Sequence, residues 1–190
     1  MMIKPTKSEV AAAQNSTIRD VIAPDLEVLF CGINTGLYSA ATGHHFARPG
    51  NRFWPTLYRS GFTPTLFTPD QELELIALGY GITNIVDRAT ASAADLNIEE
   101  LKQGGINLTR KLQVFRPKIL AILGISAFRT AFNKPKAVLG RQPELISGSI
   151  VWVLPNPSGL NAHFPPLKLV KVFNEFRQAL PNLNLFDQNG

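Results

Sequence analysis

The stretch Val28-Leu29-Phe30-Cys31-Gly32-Ile33-Asn34-Thr35-Gly36 reads as a buried strand opening into a glycine-bearing loop that presents one asparagine. The pattern returns far along the chain, where Ile150-Val151-Trp152-Val153-Leu154 runs into Pro155-Asn156-Pro157-Ser158-Gly159-Leu160. Strand-length apolar runs span Leu26–Phe30, Ile119–Leu123 and Ile150–Leu154, with a weaker one near Ile82–Val86. Near-continuous apolar character marks strands buried on both faces, as in a parallel sheet. Helical spacing lies between them, at Phe53–Tyr58, Asp70–Leu78, Ile98–Leu101, Leu108–Phe115, Ala127–Phe132 and Leu167–Leu180. Strands alternating with helices give an α/β fold, a three-layer α/β/α sandwich around a short, mainly parallel central sheet. In open α/β sheets ligands bind at the carboxyl ends of strands, so two asparagine-bearing loops far apart in sequence can close on one pocket.

The chain has 190 residues, enough for one well-formed core. A single domain is expected over 21–180, with a flexible polar extension at 1–20 and a polar tail at 181–190. Hydrophobic residues make up 45% and charged residues 17%, and no apolar run reaches membrane-span length, so no membrane association and a cytoplasmic monomer are expected. Nineteen Lys and Arg against fourteen Asp and Glu leave a net charge of +5, which suits a polyanionic partner or simply a solvated positive face. One cysteine and three histidines supply no set for structural zinc or an iron-sulfur cluster, so no metal site is expected.

Chemistry-bearing side chains crowd into the region from Gly32 to Trp54, among them Asn34, Ser39, His44, His45, Phe46, Arg48, Asn51 and Arg52. A long polar loop after a buried strand is costly to order unless it binds something. No phosphate-cradling glycine loop with a following Lys-Ser/Thr is present, and no Gly-x-Gly-x-x-Gly follows a strand, which argues against nucleoside triphosphates and dinucleotides.

The strings Phe30-Cys-Gly-Ile-Asn-Thr-Gly-Leu37, Thr42-Gly43, Phe46-Ala47, Asn51-Arg52-Phe53-Trp54, Val86-Asp87-Arg88, Ala121-Ile122-Leu123-Gly124 and Trp152-Val153-Leu154-Pro155-Asn156-Pro157-Ser158-Gly159-Leu160 follow one another in a recognisable order. Together, from about Ile22 to Phe176, they closely resemble the mismatch-specific uracil-DNA glycosylases, relatives of thymine-DNA glycosylase. The resemblance implies the same three-layer sandwich and a DNA repair enzyme that works without metal or cofactor. Its partner would be double-stranded DNA carrying a mismatched or damaged pyrimidine, flipped from the stack and cut from its deoxyribose.

By the same resemblance Asn34 positions the attacking water, although an asparagine there also reads as a cap of the following turn. Phe46 stacks on the flipped base, and Ile33, Gly36, Leu37 and Ser39 border its edge. Asn156 holds the substrate or forms an Asx-turn before Pro157. Gly159 and Leu160 match the family's wedge, with Leu160 as the plug that fills the vacated stack. Asn161 and His163 stand where some relatives carry serine-arginine and are the candidates to support the widowed base. Ser158, Lys168 and Lys171 are expected on backbone phosphates. Asp87 follows the weak second strand and is the alternative water activator, or it simply pairs with a neighbour. His44 and His45 read as loop surface, and Thr35 stands where proline is usual in the family, restoring a backbone N–H and a freer φ. A zinc-dependent base deaminase would need a His/Cys site that one cysteine cannot build, whereas a damage-binding protein without turnover shares the pocket.

Overall fold

The computed structural model describes residues 4–183. Among them β1 (Val28–Gly36), β2 (Tyr80–Thr90), β3 (Ile119–Leu123), β4 (Gly140–Arg141) and β5 (Ile150–Leu154) form one sheet in the order β2-β1-β3-β5-β4. The first four in that order run parallel, and the two-residue β4 pairs antiparallel with the end of β5. This is the α/β fold expected, with β3 and β5 matching their apolar runs residue for residue.

Period-two alternation sorts each strand between two apolar layers. Val28, Phe30, Ile119, Ala121, Ile150 and Leu154 face the layer formed with α3 (Phe53–Arg59) and α7 (Pro166–Leu183). Leu29, Cys31, Leu120, Ile122, Val151 and Val153 face α5 (Ile98–Phe115) and α6 (Ile125–Ala131). Phe30 is the hub of the first layer, its ring edge-on to Phe53, Phe62 and Phe176 at centroid distances of 5.7, 5.3 and 6.4 Å. Burial on both faces accounts for the unbroken apolar runs. No helix among the described residues is long and apolar enough to cross a membrane.

The two helical stretches at 98–101 and 108–115 are one helix, started by a reciprocal Asn97–Glu100 capping box. Gly104 and Gly105 interrupt its hydrophobic stripe because there the helix touches its neighbours most closely. A methyl on Gly104 would overlap the Ile85 carbonyl, and one on Gly105 the Ala131 carbonyl. The Asp70–Leu78 stretch is instead a 3₁₀ turn at Pro69–Gln71 followed by the single-turn α4 (Glu74–Ala77). Short helices at Lys7–Ala12 (α1) and Leu37–Thr42 (α2) carried no apolar periodicity strong enough to read.

Residues 4–20 are not the flexible extension expected, and 1–3 lie outside the described residues. Thr6 and Glu9 cap α1 reciprocally, and the following chain runs along the free edge of β2. Asn15 N–H donates to Ala89 O at 2.9 Å, Ala89 N–H to Ser16 O at 2.8 Å, and Val21 and Ile82 exchange bonds at 2.9 and 2.7 Å. An edge strand carries unpaired backbone groups, and this segment satisfies them. Asp20 adds an ion pair to Lys111 of α5 at 2.5 Å. At the other end, α7 continues through Leu180 to Leu183, both on its buried stripe, so the tail does not begin at Pro181. The rest of that tail, 184–190, lies outside the described residues.

The α5 glycines yield a test with a definite sign. Alanine is the better helix former by about 1 kcal/mol, yet overpacking against a backbone carbonyl costs about 1–3 kcal/mol. Gly105→Ala is therefore expected to lower the chemical-denaturation midpoint, while Gly36→Ala, where a methyl meets nothing within 4 Å, leaves it nearly unchanged.

Candidate active site

A cavity of about 140 Å³ opens at the carboxyl ends of β1, β2 and β5. Gly32, Ile33, Asn34, Thr35 and Gly36 from the end of β1 line it, with Ser39, His45, Phe46, Arg48 and Asn51 from the following segment. Asn84 and residues 90–93 come from β2 and its exit, Asn156 and Ser158 from the loop after β5, and Ile18 from the N-terminal segment. The two asparagine-bearing loops thus close on one space.

Asn34 is held by its amide nitrogen. Nδ2 faces three oxygens: Thr90 Oγ1 at 2.7 Å, Arg88 O at 3.2 Å and Thr35 O at 3.3 Å. Two of these are carbonyls and can only accept, while the Thr90 hydroxyl gives its own proton to Ser92 O at 2.7 Å. The nitrogen must therefore point into this cluster, and the carbonyl Oδ1 is the other end of the planar amide. The capping role weighed from the sequence is absent, since Gly36, not Asn34, caps α2.

A register irregularity creates that nest. Asn34 pairs with Val86 but Gly36 pairs with Thr90, so β2 carries two extra residues opposite β1. The bulge turns the Arg88 carbonyl towards Asn34 and anchors the Arg88 side chain outward on Glu100, whose carboxyl is pushed down to about 2 by that guanidinium and the Asn97 cap. Asp87 alternates to the face of β2 opposite that of Asn84. Its side chain is 60% exposed and 3.9 Å from Lys111, and it does not line the cavity. The alternative water activator is corrected on that ground, since strand parity puts Asp87 with Thr83 on the α5 side.

Phe46 holds a left-handed backbone conformation, φ +54. Its ring stacks on Phe53 at 4.0 Å and 24°, which leaves the other ring face for the cavity. Surrounding contacts fix this unusual geometry. Ser39 Oγ accepts from Ala47 N–H at 2.9 Å, Trp54 Nε1 donates to His45 O at 3.1 Å, and the buried Glu72 carboxylate takes His45 N–H at 2.8 Å and His44 Nδ1 at 3.0 Å. His45 is not loop surface: it is buried, and its Nε2 donates to Arg19 O at 3.0 Å. Burial depresses its basicity despite nearby Glu72, so the ring stays neutral.

The second loop forms the facing wall. Asn156 Oδ1 accepts Ser158 N–H at 2.9 Å, the Asx-turn weighed from the sequence, while the residue still lines the cavity. Asn161 Nδ2 donates back to Asn156 O at 3.0 Å, which makes Asn161 a brace of the loop. Arg52 locks the whole excursion, donating to the carbonyls of Gly159 at 2.6 Å, Phe164 at 2.8 Å and Asn161 at 3.2 Å. Gly159 is required because a side chain would overlap Gly50 O. Leu160 stands at the tip, 80% exposed.

Several expected contacts fall outside the cavity lining. Leu37 belongs to α2 and does not line it. His163 and Lys168 lie on the outer surface, with Lys168 Nζ on His163 O at 3.2 Å and over the Phe164 ring at 4.5 Å. Lys171 is exposed on α7. Residues missed in the sequence are Asn84, Thr90, Glu72, Ile18 and the bracing role of Arg52. None of these carries a local signal of its role; Asn84 sits beside Thr83 in the weak Ile82–Val86 run. Among the described residues no three His, Cys, Asp or Glu side chains converge as a metal site.

Two outcomes follow from this geometry. Lysine cannot reproduce a guanidinium fork on three carbonyls, so Arg52→Lys is expected to raise hydrogen-exchange rates of amides 158–164 by about tenfold while those of β3 stay protected. His45 sets an acid limit. Below its ordinary value of 6.5 the unfolded chain takes up a proton that the buried ring resists, so stability present above that pH is lost on acidification. Denaturation midpoints measured from pH 8 to 5 should fall below 6.5, and His45→Gln should flatten that slope.

A model of the uracil DNA glycosylase superfamily matches residues 19–183. The fold is also similar to a solution NMR structure of a protein from Methanosarcina acetivorans described as a candidate uracil DNA glycosylase. The TM-score is 0.54 at 16% identity, over 85% of this chain and 97% of that one. The chain belongs to the uracil DNA glycosylase superfamily.

Proposed function

We propose that the protein is a DNA repair glycosylase that flips uracil, and related damaged pyrimidines, mispaired with guanine out of double-stranded DNA and hydrolyses the N-glycosidic bond. The observation that carries this reading is the Asn34 amide, locked through Nδ2 on three oxygens and lining the same cavity as Phe46. Extruding a base costs a few kcal/mol, least for one already mispaired. The Phe46 face receives the ring by stacking, which tolerates different substituents. Asn34 Oδ1 then orients a water at C1′ as the base leaves with the bonding electron pair. A neutral amide orients water but takes up a proton poorly, so the chemical step is slow.

No lysine lines the cavity, so no amine is placed to form an imine with the sugar, in keeping with simple hydrolysis and an abasic product. Exposed Leu160 is the wedge that occupies the vacated stack. Arg48 and Ser158 border both the base cavity and the shallow groove leading to Leu160, where backbone phosphates would lie. The net charge of +5 favours the encounter.

Asn34→Ala is expected to lower abasic-site formation on a U·G duplex by about 10²–10⁴-fold, with duplex affinity retained. Full activity in that variant would overturn Asn34 as the water-positioning residue. Duplex binding without product by the unaltered protein, at high protein and long incubation, would identify a damage-binding protein instead.

A further inference from the structure

One residue of the cavity lining comes from outside the five strands and the loops that follow them. Ile18 lies in the N-terminal segment, half-buried and part of neither apolar layer of the core, and it lines the cavity. The chain is pinned on both sides of it. Ser16 O accepts Ala89 N–H at 2.8 Å, and Val21 and Ile82 exchange bonds at 2.9 and 2.7 Å. Between them the Arg19 carbonyl takes the Nε2 proton of buried His45 at 3.0 Å, which ties the segment to the residue before Phe46. Of the other large apolar side chains around the cavity, Phe46 offers a ring face, Leu123 is buried in the first layer, and Ile33 packs on the second, over Gly124. Ile18 is the branched apolar group left for the edge of a bound ring. A pyrimidine is polar at O2, N3 and the group on C4, and its one apolar edge is C5–C6. Asn156 and Asn84, the latter hydrogen-bonded to Thr35 Oγ1 at 3.3 Å, suit the polar positions, and Ile18 suits the apolar edge.

We propose that Ile18 is a specificity-determining residue whose side chain closes the cavity against the C5 edge of the flipped pyrimidine and sets the size of substituent accepted there. This inference rests on the glycosylase reading of the same cavity. Because the segment is hydrogen-bonded on both sides of Ile18, its backbone cannot move in to fill the space that a smaller side chain would leave. The N-terminal segment is thus part of the binding site as well as a cover for the edge of β2.

The test uses duplexes carrying 5-fluoro-, 5-chloro-, 5-bromo- or 5-iodouracil opposite guanine, in which the substituent grows while the acidity of the ring changes little. Single-turnover excision by the unaltered protein should fall from fluorine to iodine. Ile18→Ala should raise the iodo-to-fluoro rate ratio about tenfold, and Ile18→Val should raise it less. A flat series in the unaltered protein, a ratio unchanged in Ile18→Ala, or a loss of rate equal across the series would overturn the proposal, the last marking Ile18 as a support of the segment alone. Affinity for the same bases in uncleavable 2′-fluoroarabino duplexes gives a reading independent of turnover. If the unaltered protein excises none of the four bases the glycosylase reading fails, and the iodo-to-fluoro affinity ratio still decides the role of Ile18, which is overturned if Ile18→Ala leaves that ratio unchanged. Melting curves confirm that each variant folds, and Ile18→Val carries the comparison should Ile18→Ala not fold.

Discussion

β1 is hydrogen-bonded to a parallel neighbour on each side and packed against a helical layer on each face. A strand so enclosed has no freedom of register, because a one-residue slip would exchange its two apolar faces. Everything placed at its carboxyl end inherits that rigidity. Asn34 emerges from the enclosed part of the strand, and its orientation is set by the sheet and not by a mobile loop. The bulge in β2 supplies what a regular ladder could not, a carbonyl and a hydroxyl turned inward to take the amide protons. Rigid placement keeps the Asn34 amide in one geometry at the cavity.

The same region shows why a buried polar cluster can be tolerated next to a core of phenylalanines. Glu72, His44, His45 and Trp54 satisfy one another and the backbone between them, and no fully buried side-chain polar atom is left unpaired among the described residues. Their combined effect is to hold Phe46 in a backbone conformation that a bulky residue seldom adopts. Arg52 plays the equivalent part for the facing loop, where a fixed planar donor reads three carbonyls that no periodic structure would satisfy.

Strands β1, β3 and β5 were legible because burial on both faces leaves an unmistakable run of apolar residues, and the two asparagine-bearing loops were legible because glycine and proline punctuate them. Asn34, Phe46, Ser39, Asn156 and Ser158 meet at one cavity as their positions suggested. Asp87 was misplaced because the end of an apolar run does not reveal which face of the strand the next residue takes, and period-two alternation puts Asp87 with Thr83 on the α5 side, where both meet Lys111. The N-terminal segment was misread because edge pairing uses backbone groups alone, which polar and small residues provide as well as any others. Glu72 and Asn84 carry no local mark of their roles; their partners are 27 and 49 residues away.

The cavity draws its walls from Ile18 at one end of the chain and Ser158 near the other, and Arg52 closes it on carbonyls 107 to 112 residues downstream. A site assembled from such distant contributions forms only when the whole sheet has formed. During synthesis Asn34 is made early, yet the facing wall leaves the ribosome after most of the chain, so no partial product holds a finished pocket. Long-range closure therefore acts as a safeguard of timing: the chain gains its pocket only when its folding is complete.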